Sequence, residues 1–135
     1  MLKPKACVIK PTEAIEYECY DLPRKVTPLI TADSCGAEKL SAGLYKLKPG
    51  NISKNDIHSE EEMYYVVSGK ARLVMDDKSF LVESGMVVFI PANCWHQSTN
   101  IGDGELCYLW VFAPPPSGPQ MHIVENWVRH EPVKR

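Results

Sequence analysis

The sequence has no apolar run of membrane-spanning length, no excess of positive charge and no CxxC pair among its cysteines. Each absence removes a class of function. A spanning helix needs about 20 consecutive apolar residues, so no membrane role is expected. Fifteen Lys and Arg stand against 17 Asp and Glu, for a net charge of −2. Such a chain offers a polyanion no attraction, which argues against a nucleic-acid partner. Cys7, Cys19, Cys35, Cys94 and Cys107 are odd in number and irregularly spaced. The stretch MLKPKACVIKPTEAIEY lacks the apolar core of a secretion signal. Together these imply reduced thiols in a cytoplasmic protein, each Cys a small buried hydrophobe. Long uninterrupted helices are missing too, because 11 Pro and 8 Gly break the chain at short intervals.

What is present is a series of short runs rich in Val, Ile, Leu, Tyr and Phe. LSAGLYKLKPG, EMYYVVSG, KARLVMDDKSFLVESG, MVVFIPANCWHQST and ELCYLWVF follow one another with turn residues between them. The third reads as a hairpin around Asp76 and Asp77. Strands at this spacing predict an all-β sandwich or barrel. A chain of 135 residues fits one domain with a core of its own. We place the barrel core at about 42–113, with arms at 1–41 and 114–135. In the first arm, KVTPLITADS reads as an edge strand, since Pro28 is excluded from a central position. In the second, MHIVENWV reads as a last strand or a short helix.

The polar residues before one of these strands are the informative feature. In GNISKNDIHSEEEMYYVVSG, residues Asp56, His58, Glu62, Tyr64 and Val66 share one parity. If the chain stays extended through this stretch, all five side chains point one way. Ligands on one strand lie nearly in a line, so a metal site needs a donor from elsewhere. His96, at the start of the strand after PANCW, is the candidate. His122 and His130 lie in the less regular tail.

The two segments resemble the motifs of the cupins. The first cupin motif, G-x5-H-x-H-x3-E-x6-G, is matched in register by Gly50, His58, Glu62 and Gly69, with Asp56 in place of the first histidine. The second, G-x5-P-x-G-x2-H-x3-N, is matched by Gly85, Pro91, His96 and Asn100, with Asn93 in place of the middle glycine. Asn tolerates positive φ better than other side chains, so Asn93 still permits the turn. The resemblance implies a cupin-type, RmlC-like double-stranded β-helix, a jelly-roll barrel that pairs into homodimers, with the arms available for the exchange. It also implies a divalent metal held by His58, Glu62 and His96. Asp56 reads as a fourth ligand or as a partner that hydrogen-bonds one. Two imidazoles with carboxylates suit Fe, Mn, Zn or Ni.

Tyr64 projects toward the same space. It reads either as core packing or, as in some small cupin lyases, as a catalytic residue whose phenol becomes a base beside the metal. Glu60 and Glu61 read as a solvated edge. Leu106, Tyr108, Trp110 and Phe112 read as a packing stripe in preference to a substrate-stacking one, and Trp95 and Trp127 as packing. Asn100 reads as a turn holder. Three functions follow: a metal-dependent lyase or isomerase on a small polar carboxylate or carbonyl-hydroxyl compound, an Fe(II) dioxygenase, or a non-catalytic metabolite- or sugar-binding protein.

Overall fold

The computed structural model describes residues 2–19, 23–116 and 127–132. Its elements are almost all strands. They are β1 (Glu16–Cys19), β2 (Arg24–Ile30), β3 (Ser41–Leu47), β4 (Glu61–Ser68), β5 (Lys70–Met75), β6 (Lys78–Glu83), β7 (Val87–Ile90), β8 (His96–Asn100), β9 (Leu106–Ala113) and β10 (Trp127–His130). Seven form one antiparallel sheet in the order β10-β1-β2-β3-β9-β4-β7, and three form a second in the order β6-β5-β8. This is the all-β architecture that the strand pattern predicts, in the jelly-roll arrangement that the cupin resemblance implies. Among the described residues no helix is long and apolar enough to cross a membrane.

Turn chemistry sets where the strands end. Asp76 takes φ 53° between β5 and β6, and Asn93 takes φ 60° between β7 and β8, where the motif has glycine. Both are residue types that visit the left-handed region at low cost. Gly69 and Gly85 take φ 93° at the ends of β4 and β6.

The core lies between the sheets. Leu47, Val66, Leu73, Ile90 and Leu106 are completely buried, and Cys94 joins them. Each large aliphatic side chain contributes about 1.5–3 kcal/mol on burial. Alternation on β4 sends Glu62, Tyr64 and Val66 to the interior while Tyr65 and Val67 stay exposed.

Two expectations are revised. KVTPLITADS is not an edge strand, since β2 lies between β1 and β3. Pro28 is nonetheless accommodated, because the short β1 pairs with β2 only at Lys25 and Val26. At Pro28 the β3 side alone is paired, opposite Gly43, and the register shifts between Pro28 and Ile30. The missing N–H therefore interrupts no ladder on the β1 side. Strands from both arms also join the chain's own sheet, with β10 pairing along β1 from Glu16↔His130 to Cys19↔Trp127. Of MHIVENWV, residues 121–126, including His122, lie outside the described residues, and Trp127 opens β10.

Candidate metal centre and cavity

Three separate pieces of chain bring the polar residues together. Glu62 comes from the start of β4 and His96 from the start of β8. Asp56 is tied to His96 by a reciprocal backbone pair, Asp56 N to His96 O at 3.0 Å and His96 N to Asp56 O at 2.9 Å. The 51–56 segment thus runs as an irregular strand along β8, with Ser53 N donating to Ser98 O at 2.8 Å. His58 lies between these anchors. The backbone N–H of Asn93 donates to the His58 carbonyl at 2.7 Å, so the β7–β8 turn holds the His58 loop in place.

The expected uninterrupted extended run from Asp56 to Val66 is not what forms. The chain bends at Ser59 and Glu60 before β4 begins. The side chains converge because of that bend and the pairing to β8, not by strand parity alone.

Glu62 Oε1 lies 3.1 Å from His58 Nε2 and 3.4 Å from His96 Nε2. The donor atoms of Asp56, His58 and His96 lie within 4.8 Å of one another. Donors about 2.1 Å from one ion stand about 3.0 Å apart in octahedral geometry and about 3.4 Å apart in tetrahedral geometry. The Glu62–His spacings have this size, so the residues fit a divalent ion. Each imidazole is also aimed. Nδ1–H of His58 donates to the Glu60 carbonyl at 2.9 Å, and Nδ1–H of His96 donates to the Cys94 carbonyl at 2.9 Å. Such bonds fix the tautomer and turn Nε2 toward the centre, the usual support of metal-ligating histidine.

The electrostatics follow from this crowding. The hydrogen bond to Glu62 raises the His58 imidazole above its ordinary value, against the burial that lowers it. Burial likewise lowers His96, but the Glu62 hydrogen bond, the Cys94 carbonyl and the charges of Glu62 and Asp56 outweigh it, so His96 is raised too. Without metal, the neighbouring carboxylates favour the protonated form of both imidazoles.

Tyr64 lines the same cavity, its ring stacked on Tyr108 at 4.3 Å and edge-on to His96 at 6.5 Å. Burial, followed by the Glu62 charge, pushes its phenol well above the ordinary tyrosine value. In the metal-free protein it is therefore a protonated hydroxyl.

The cavity is about 250 Å³ and has more walls than the sequence indicated. Trp110 and Phe112 line it, and the Phe112 ring meets His58 edge-on at 4.9 Å. The β9 stripe therefore grades from core to wall: Leu106 is core, Tyr108 is buried in the core and lines the cavity, and Trp110 and Phe112 are cavity wall. Glu60 also lines the cavity, with its side chain 13% exposed, and is not part of a solvated edge. Trp95 is 48% exposed and does not pack inside. Arg24, Pro28 and Tyr45 complete the far wall. They went unread because β2 and β3 are remote in sequence from the motifs. Their one signal was inward alternation, with Arg24 on the apolar face beside Val26 and Pro28.

Two curved antiparallel sheets enclosing a histidine-carboxylate cluster define a small barrel with a metal-type pocket. The chain belongs to the cupin family, whose model, described as "Cupin domain", matches residues 43–112. It is similar to the uncharacterized protein MJ1618 of Methanocaldococcus jannaschii, at 31% identity over 75% of this chain and 90% of that protein. It is similar also to the polyketide synthase CurC of Streptomyces cyaneus, at 28% identity over 86% of this chain and 75% of CurC. Among solved structures, a predicted oxalate decarboxylase of Thermotoga maritima shares the fold. Its TM-score is 0.72 at 20% identity, covering 81% of this chain and all of that one.

Proposed function

We propose that the whole chain, 1–135, is one cupin domain that works as a metal-dependent enzyme on a small carbonyl- or carboxylate-bearing organic molecule, by lyase or isomerase chemistry. The observation that carries this reading is the convergence of Glu62 Oε1 with His58 Nε2 and His96 Nε2, both imidazoles aimed by carbonyls. His58, Glu62 and His96 hold the ion, and Asp56 completes the set. An ion bound there supplies Lewis acidity to a substrate oxygen.

The residues around it do the rest. Tyr64 presents a protonated hydroxyl to the reacting oxygen and donates the hydrogen bond or proton that developing negative charge requires. Trp110 and Phe112 exclude water and orient a flat substrate. Likeness to a polyketide synthase supports a carbonyl-rich substrate, since two nearby oxygens chelate one ion. Asp56 as a fourth donor favours the non-redox route over a dioxygenase, because it leaves fewer open positions for O2 together with a chelating substrate.

The free thiols of all five cysteines support a reducing, cytoplasmic setting. A homodimer is supported by β7, an edge strand whose Val87 and Phe89 are 65% and 57% exposed. An uncharged edge of this kind is covered by a second copy of itself.

Elemental analysis of untagged protein tests the metal reading. Wild type is expected to carry one equivalent of Mn, Fe, Zn or Ni. His96→Ala is expected to lose it while keeping its circular dichroism. Unchanged metal content in His96→Ala would overturn the site. One equivalent of Fe with substrate-dependent oxygen uptake would replace the lyase by the dioxygenase. Metal without turnover on any carbonyl compound would leave a binding protein.

A further inference from the structure

The inner end of the cavity carries a polar pair that the metal reading does not use. Ser98 Oγ and the Tyr108 hydroxyl stand 2.9 Å apart. Both residues line the cavity, at 3% and 1% exposure. Two hydroxyls bring two protons, and the bond between them takes one. Among the described residues neither hydroxyl makes another hydrogen bond. Burial pushes the Tyr108 phenol up to about 12, so it keeps its proton. One O–H donor is therefore left over in a dry place, where a donor without an acceptor is costly. Whichever group accepts the shared bond holds the spare proton, and accepting makes it the stronger donor.

Strand register places this pair at the end away from the metal ligands. On β4 and β9, Glu62 stands opposite Phe112, Tyr64 opposite Trp110 and Val66 opposite Tyr108. Each step moves two residues, roughly 6–7 Å, deeper into the barrel. Ser98 likewise lies one step beyond His96 on the inward face of β8. Behind the pair is the apolar core, with Leu73 opposite Ser98 and Val66 opposite Tyr108. An acceptor can therefore stand only on the cavity side. Between the two ends the wall is formed by the rings of Tyr64, Trp110 and Phe112. A dry cavity of about 150 Å³ holds benzene, so one of about 250 Å³ holds two fused rings.

We infer that Ser98 and Tyr108 are specificity-determining residues, and that their spare O–H holds a carbonyl oxygen at the inner end of a flat two-ring substrate. The opposite edge of that substrate then faces His58, Glu62 and His96. The inference rests on reading this cavity as the substrate site, but the contact itself needs no metal. It narrows the substrate class to fused-ring compounds with oxygen at both ends. A compound without the inner oxygen leaves the donor unpaired and binds more weakly.

The test uses metal-free full-length protein and two neutral probes of one shape, 1-indanone and indane. Calorimetry reads their affinities, and infrared spectroscopy reads the carbonyl stretch of bound indanone. In wild type that stretch is expected below its value in an apolar solvent. In the double variant Ser98→Ala/Tyr108→Phe it should return to that value, and the ratio of indanone to indane affinity should fall at least about fivefold. The shift should persist in Tyr64→Phe and in His96→Ala, which remove donors at the metal end. If the double variant does not fold, wild type, Tyr64→Phe and His96→Ala decide by the infrared shift alone. Binding of neither probe would overturn the cavity reading and the inference together. Binding of both with an unshifted carbonyl, a shift and ratio unchanged in the double variant, or a shift lost with Tyr64 or His96 would overturn the inference alone.

Discussion

Gly43 shows how one absent side chain shapes the cavity. It pairs with Pro28 on one side and Trp110 on the other. A Cβ there would collide with the indole of Trp110 and stand 2.6 Å from the Thr27 carbonyl. Both the Trp110 indole and the backbone at Thr27 must therefore shift. Gly43→Ala is expected to cost about 1–3 kcal/mol and to change tryptophan emission; denaturation and fluorescence spectra check both. The imidazoles make a pH prediction. Both His58 and His96 are raised above 6.5 in the metal-free protein. The stability they contribute is therefore fully present below about pH 6.5 and is lost as pH rises through their folded values. Thermal melts of metal-free protein from pH 6 to 8.5 should show this fall, and Glu62→Gln should flatten it. Metal affinity should run the opposite way and rise with pH, because the ion must displace those protons.

At the scale of the element, Asn100 ties the end of β8 to β3 and to the turn before β9. Its amide donates to the Leu47 carbonyl at 2.8 Å and to the Gly104 carbonyl at 2.9 Å, and its Oδ1 accepts from Gly102 N at 2.9 Å. The residue is 1% exposed. Asn100→Ala leaves these backbone groups without their partner in a dry place, at about 1–3 kcal/mol for each one left unsatisfied. The urea midpoint should fall with little change in slope. Metal content should persist, since His96 lies at the other end of β8. The turn role read from the sequence is thus correct, but the tie to β3 is not visible there. No local pattern says that Leu47, 53 residues away, passes beside Asn100.

Across the whole molecule, the outer face near the β7 edge is apolar. Tyr65 stands opposite Val87 and Met63 opposite Phe89 in the β4–β7 ladder, and Val67 is exposed as well. Covering this face with a second copy removes both the apolar surface and the unpaired edge. Light scattering on a sizing column should give twice the chain mass of 15.2 kDa. Phe89→Glu should shift it toward the monomer, and a monomeric wild type would remove the dimer.

What the sequence by itself determined was local. The strands of the barrel core, the Asp76–Asp77 hairpin, the left-handed Asn93 and the inward faces of Glu62, Tyr64 and His96 follow from turn chemistry and a period of two. The spacing of the two motifs also carried the family. Only the tertiary structure decided what nonlocal pairing controls. It placed β2 inside the sheet despite Pro28, because a four-residue β1 ends before reaching it. It bent the chain at Ser59 and Glu60, so that Glu60 faces the cavity and its carbonyl aims His58. It also brought Arg24, Tyr45 and Trp110 to the wall opposite the histidines. Alternation along a strand fixes which face a residue occupies. Which strands share that face depends on how the sheet closes, and no short window of sequence contains that information.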